Sequence, residues 1–388
     1  MAVVTLGIER LLDRDRSLIE GRRVGVVCNP ASIDASFRHV VDRAEAGGVK
    51  VGAIFGPQHG FRSDLQENMI ESPHGDDRRR RVPVYSLYSE TREPTAQMLA
   101  GLDALVIDLQ DVGTRIYTYI YTMANCLRAA ARLQLPVIVC DRPNPIGGVA
   151  VEGPMLSPGF ESFVGQFPIP MRHGMTIGEL ASLFNNEFGL GAKLEVVNMT
   201  DWSRTQYGDE TGVPWVLPSP NIPTMESAVV YPGTVLLEGT NISEGRGTTK
   251  PFELVGAPWA EPEQIADFLN GCNLPGVYFR PALFEPTFHK HASTPCGGCQ
   301  IHVTDRNTFQ SVQTGVAVIE AFRSADPAQF AWRPPPYEYE ATKAPIDILY
   351  GSADLRTRID RGDRAADICA SWPDDVRPFL AQRARYIK

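Results

Sequence analysis

Three short stretches of this 388-residue chain concentrate the side chains that could do chemistry. GPQHGFR holds Gln58, His59 and Arg62. DLQDVGTRIYTY holds Asp108, Gln110, Asp111, Arg115, Tyr117 and Tyr119, and DRPNPIGG holds Asp141, Arg142 and Asn144. Carboxylates, guanidinium groups, amides and an imidazole in such density describe a pocket for a small polar ligand. Taken singly, any of them can instead cap a helix or hold a loop, as Asp and Asn routinely do. Three such stretches together favour a site.

Familiar motifs narrow the chemistry mainly by their absence. The turn after the first apolar run reads CNPAS, not G-x-G-x-x-G, so no dinucleotide is expected; GRGTTK lacks the spacing of a phosphate loop. There is no G-x-S-x-G elbow and no H-E-x-x-H pair. Cys296 and Cys299 have metal-ligand spacing, with His289, His291 and His302 around them. No second C-x-x-C supports them, and a Gly-Gly hairpin with buried thiols reads the segment equally simply, so no metal and no cofactor is assigned. DDRRRR at 76–81 reads as a solvated loop.

The elements that must position these residues can be read from hydrophobic pattern. Each polar stretch follows a short, continuous, β-branched run: Val49–Phe55 before the first, Ala104–Leu109 at the second and Pro136–Cys140 before the third, with Arg23–Cys28 preceding them all. Unbroken apolar runs suit strands buried on both faces. Helical patterns fall between and after them at Phe37–Ala46, Pro94–Ala100, Tyr117–Leu133 and Thr176–Phe188, the last opened by a Thr176/Glu179 capping box. Strand–helix alternation predicts a doubly wound, mostly parallel α/β sheet, whose ligands bind outside the carboxyl ends of the strands. A Pro-, Gly- and Asn-rich stretch from 200 to about 260 is long enough to be functional. Beyond it, Pro262–Leu269 and Val312–Phe322 look helical and Val277–Phe284 and Gln300–Thr304 look like strands. The expected domains are 1–258 and a smaller α/β unit, 259–388.

Composition sets the outer limits. With 43% hydrophobic and 21% charged residues the chain has the make-up of a folded globular protein, and no apolar run approaches the roughly 18 residues of a membrane span. A net charge of −9 argues against nucleic-acid or membrane partners. Seven cysteines make no disulfide framework, and MAVVTLGIERLL lacks the order of a secretory signal, so a cytoplasmic location is expected.

At the loops the sequence becomes specific. FGPQHGFR, SLY, DLQDVGTRIYTYI, DRPNPIGG, VEGP, GMTIGEL, PSPNIPT, YPGTVLLEGTNISEGRGTTKPFELVGAPW and PIDILYG, in that order, resemble the NamZ-type exo-β-N-acetylmuramidases, over nearly the whole chain. The resemblance implies a Rossmann-like N-terminal domain, a smaller C-terminal domain and a cleft between them. It also implies release of N-acetylmuramic acid from the non-reducing end of peptidoglycan fragments, with a small carbohydrate as the partner.

Glycoside hydrolysis takes two carboxyl groups, or one acid and an orienting carboxylate when the 2-acetamido group of the sugar replaces the nucleophile. Asp108, Asp111, Asp141 and Glu244 are the carboxylates expected near the cleft. Arg62, Arg115, Arg142 and Arg246 are expected to meet the lactyl carboxylate of muramic acid, with Gln110, Tyr117, Tyr119, Asn144, Asn221 and Ser243 as further sugar contacts. One position departs from the family pattern. The motif P-E-H-G of the family reads Pro57-Gln58-His59-Gly60 here, and a carboxamide cannot donate a proton as a general acid. Three readings follow: Glu71 or Glu67 has taken the acid role; Gln58 orients water or the acetamido group while Asp108 or Asp111 supplies the acid; or hydrolysis is lost and the chain binds amino sugars. A hydrolase for a different glycoside is a further alternative.

Overall fold

The computed structural model describes residues 3–66 and 69–387; Glu67 lies outside them. The N-terminal half is built on strands β1 (Arg23–Cys28), β2 (Lys50–Gly56), β3 (Gly75–Asp77), β4 (Val82–Ser86), β5 (Ala104–Asp108) and β6 (Val137–Cys140). A two-stranded ribbon follows, β7 (Glu152–Met155) with β8 (Pro170–Arg172), and then β9 (Leu194–Val197). The main sheet has seven strands in the order β3-β4-β2-β1-β5-β6-β9. All its neighbours are parallel except the β3–β4 edge.

The side-chain alternation of β1 explains its unbroken apolar sequence. Val24, Val26 and Cys28 face one layer with Ile54, Val106 and Ile138, covered by the helices Gly7–Asp13 and Val40–Ala46. Val27 faces the opposite layer with Phe55, Leu105, Ile107 and Val139, covered by the helices Tyr119–Arg132 and Ile177–Glu187. Both faces are dry, so both registers of the strand must be apolar. The expected capping box is present: Thr176 Oγ1 accepts from the Glu179 N–H at 3.3 Å and Glu179 Oε2 accepts from the Thr176 N–H at 2.9 Å. Strand order reverses between β1 and β5, which makes their carboxyl ends the expected ligand crevice.

The C-terminal half carries a three-stranded antiparallel sheet, β10 (Leu254–Ala257), β11 (Val277–Phe284) and β12 (Cys296–Val303), in the order β10-β12-β11. Its apolar residues join the second layer of the main sheet in one continuous core. β10 pairs with β12, on the far side of the expected 258/259 boundary; a strand's sheet is decided by its partners, which LVGA does not encode. One expectation is corrected here. Cys296-Gly-Gly-Cys299 is no hairpin but the first half of β12. A Cβ at Gly297 would press into the Ala260 carbonyl, and one at Gly298 into the Val255 carbonyl. The glycines are therefore there for close backbone approach. Both thiols are buried, and among the described residues no group of three His, Cys, Asp or Glu is placed to hold a metal. No helix among them is long and apolar enough to cross a membrane.

Gly298→Ala is expected to cost about 1–3 kcal/mol by overpacking. Gly271→Ala, whose Cβ meets nothing within 4 Å, should stay within about 1 kcal/mol of the parent. Urea unfolding of the two variants checks the pair.

Candidate active site

A small cavity of about 40 Å³ lies at the carboxyl ends of β2 and β5, where the two halves meet. β2 delivers Gln58 and His59, the latter with a left-handed backbone (φ 69°) that turns the chain sharply after the strand. The loop after β5 delivers Ile116 to Tyr119, and Ser219, Asn221 and Ile222 come from the proline-rich stretch. The far wall belongs to the C-terminal half: Tyr231, Glu238, Arg246, Phe252, Tyr337 and Glu338.

Two carboxyls line this cavity, and their surroundings differ. Glu238 is 2.7 Å from Arg246 Nη2 and accepts from the Tyr337 hydroxyl at 2.7 Å. Glu338 accepts from the Tyr88 hydroxyl at 2.9 Å and from the Gln58 amide at 3.4 Å. Burial pushes the Glu338 carboxyl up to about 7, the charge of Glu238 adds to the rise, and the Tyr88 and Gln58 donors only partly offset it. Thr118 Oγ1 donates to Gln58 Oε1 at 2.8 Å, which aims the amide N–H₂ at Glu338. Burial lowers the His59 imidazole to about 4, so it is neutral. Its Nδ1 lies 2.7 Å from the Leu65 carbonyl and must carry the proton, because a carbonyl can only accept.

Glu338 is carried on a two-residue turn. Tyr337 and Glu340 exchange both backbone hydrogen bonds at 2.9 Å, and the central residues Glu338 and Tyr339 have φ of 45° and 69°. Such turns favour Asn-Gly; a left-handed backbone costs ordinary L-residues about 1–2 kcal/mol each. Arg92 fastens the turn to the N-terminal half, its guanidinium 3.6 Å from the Tyr339 ring centre and 5.1 Å from that of Tyr88.

Of the residues expected from sequence, Gln58, His59, Tyr117, Tyr119, Asn221 and Arg246 line the cavity. The others do not. Asp108, fully buried, gives both oxygens to Arg142 at 2.6 and 2.7 Å, a closed pair beneath the loops with no oxygen left for a substrate. Asp111 accepts from the Gly113 N–H at 2.7 Å and faces His173 at 3.5 Å, while Gln110 donates to the Asp111 and Pro143 carbonyls. Asp141 accepts from the Gly178 N–H at 2.8 Å at the start of the helix Ile177–Glu187, and burial pushes it up to about 7. Asn144 holds the Met175 carbonyl, and Ser243 accepts from the Gly245 N–H. Arg115 is spent on four backbone carbonyls, and Arg62 lines a separate groove with Phe61 and Arg79. Glu71 is half-exposed and holds Arg92 and the Tyr339 hydroxyl beside the turn.

Glu244 is corrected most clearly. It is fully buried against Arg246 at 2.7 Å, Lys290 at 2.9 Å and His289 at 3.2 Å. Burial alone would raise its pKa, but the Lys290 charge, the His289 hydrogen bond and the Arg246 charge outweigh it and hold the carboxyl well below the usual range, so it has no proton to give. Glu238 and Glu338 were missed. Glu238 interrupts the apolar run VLLEG, an anomaly that marks a buried carboxylate; Glu338 sits in PPPYEYE with no comparable signal.

Two outcomes test this electrostatic layout. Asp108→Ala strands Arg142 without its counter-ion and should cost about 3–5 kcal/mol in urea unfolding. An unfolded Glu titrates near roughly 4.3, below the folded value of Glu338, so the folded form binds the extra proton and stability falls as pH rises between the two. Glu338→Gln cannot ionise and should therefore gain in melting temperature relative to the parent between pH 5 and pH 8.

Residues 24–226 match the N-terminal and residues 229–388 the C-terminal domain of the exo-beta-N-acetylmuramidase NamZ family. The chain is 48% identical over 385 residues to the peptidoglycan beta-N-acetylmuramidase NamZ of Bacillus subtilis strain 168, spanning 99% of this chain and 91% of that protein. A crystal structure of a DUF1343 family protein from Bacteroides fragilis NCTC 9343 superposes with a TM-score of 0.90 at 35% identity, covering 100% of this chain and 99% of the other. A second DUF1343 protein from the same organism gives 0.75 at 27% identity, with the same coverage. With both of its halves matched in order, the chain belongs to the exo-β-N-acetylmuramidase NamZ family.

Proposed function

We propose that this protein is an exo-acting β-N-acetylmuramidase that releases N-acetylmuramic acid from the non-reducing end of small muropeptides or amino-sugar disaccharides. The observation that carries the reading is the cavity itself. It lies at the carboxyl ends of the parallel strands, its walls set tyrosine, amide and guanidinium groups among apolar side chains, and it presents two buried carboxyls in unlike surroundings. Glycoside hydrolysis needs that asymmetry: one carboxyl to donate a proton, and a second, ionised one to act on the opposite side of the sugar or to steady its acetamido group. The activity named for the B. subtilis relative supports the substrate class. Recycling of cell-wall fragments in the cytoplasm is the setting we propose. All seven cysteines stand as free thiols, the state a reducing compartment keeps.

The assay is release of 4-nitrophenol from 4-nitrophenyl β-N-acetylmuramide beside the corresponding N-acetylglucosaminide, from pH 5 to 8. Turnover preferring the muramide is expected. No turnover on either, with N-acetylmuramic acid still raising the melting temperature, would make the protein an amino-sugar binder.

A further inference from the structure

We infer that Glu338, supplied by the C-terminal half, is the general acid of this protein, and that Gln58 is the positioning residue that aims it. The assignment rests on the muramidase reading above and goes beyond it by naming the proton donor that position 58, as an amide, cannot be.

Four observations converge on it. Glu338 lines the cavity, and it also lines an adjoining surface groove with Arg92, Asn125, Arg128 and Phe163. A group shared by the pocket and the more open groove beside it stands where a glycosidic oxygen would join a sugar in the pocket to its leaving group in the groove. Second, the backbone is strained to put it there: the tip of the Tyr337–Glu340 turn holds two left-handed residues, neither Gly nor Asn. Third, Gln58 is fixed by Thr118 so that its amide donates to Glu338 Oε1, while Tyr88 holds Oε2. An amide in contact with the carboxyl orients it without competing for its proton, which a second carboxyl at that place would do. Fourth, the expected carboxyls among the described residues lie outside the cavity: Asp108 pairs with Arg142, Asp111 accepts from Gly113 and Asp141 from Gly178, Glu244 pairs with Arg246 and Lys290, and half-exposed Glu71 with Arg92. The burial that keeps Glu338 protonated near neutrality fits the task.

In the reaction, Glu338 gives its proton to the glycosidic oxygen as the bond from the anomeric carbon to that oxygen breaks. The bonding pair leaves with the oxygen, which departs as a free hydroxyl. A water oxygen ends bonded to the anomeric carbon, and the proton that water gives up balances the one Glu338 lost. Glu238, ion-paired with Arg246 and bonded by the Tyr337 hydroxyl, is the second carboxyl of the cavity.

The experiment compares two leaving groups. A muramic acid–glucosamine disaccharide expels an alcohol and depends on the acid; 4-nitrophenyl β-N-acetylmuramide expels a phenol that needs almost no protonation. Glu338→Gln should lower kcat on the disaccharide by about 10²- to 10⁴-fold, and on the 4-nitrophenyl glycoside by less than about tenfold. Gln58→Leu should lower kcat on the disaccharide more than on the glycoside, with KM little changed on both. Equal losses on the two substrates, or none, in both variants would overturn the assignment and leave the muramidase standing. Wild-type protein silent on both substrates would overturn the muramidase reading and this assignment with it.

Discussion

A single buried cation ties the architecture together. Arg115 is fully buried, and among the described residues its guanidinium meets no carboxylate; it donates instead to the carbonyls of Pro154, Ile169, Leu349 and Tyr350, at 2.7 to 3.0 Å. Removing a cation from water is costly, and here only backbone dipoles compensate, so all of them must be in place at once. The four carbonyls come from the β7–β8 ribbon region and from the helix Pro345–Tyr350 of the C-terminal half. The residues directly after Arg115, from Ile116 to Tyr119, line the cavity. The joint between the halves and the cavity wall are thus one construction, and Thr118 in that wall holds the Gln58 amide that meets Glu338.

The same low-dielectric interior sorts the acidic residues. Where a carboxylate is paired with buried charged donors, as Asp108 is with Arg142 and Glu244 with Arg246 and Lys290, it is a structural ion. Where burial is matched only by a tyrosine hydroxyl and an amide, as at Glu338, the charged form is under-compensated and the proton is retained. Position in the chain has no bearing on that division; the number and type of donors decide it.

This explains which features were legible in the sequence. Strands β1, β2, β5 and β6 were readable because burial on both faces forces an unbroken apolar run, and the Thr176/Glu179 cap because its partners are three residues apart. The short edge strand β3 carries polar residues, since an edge meets solvent, and its neighbour β4 is only partly buried and broken by Pro83, so neither gave such a pattern. The loops after β2 and β5 were correctly marked as polar gatherings, yet only part of each reaches the cavity. A sequence displays residue types, and the partners of Asp108 or Glu244 appear only when the chain is folded. Glu338 was illegible for the same reason at its extreme: its contact with Gln58 spans 280 positions.

The turn that carries Glu338 also sets a length constraint on its segment. Loops on protein surfaces ordinarily accept insertions at small cost, because slack is absorbed by solvent. Here the chain between Tyr337 and Glu340 is as short as a reversal allows, its near end held by the Tyr337 hydroxyl on Glu238 and its tip by Arg92. One extra residue would rotate the carboxyl away from Gln58 and leave an amide facing an empty wall. The segment works as a ruler, and its exact residue count matters as much as the identity of the acid it delivers.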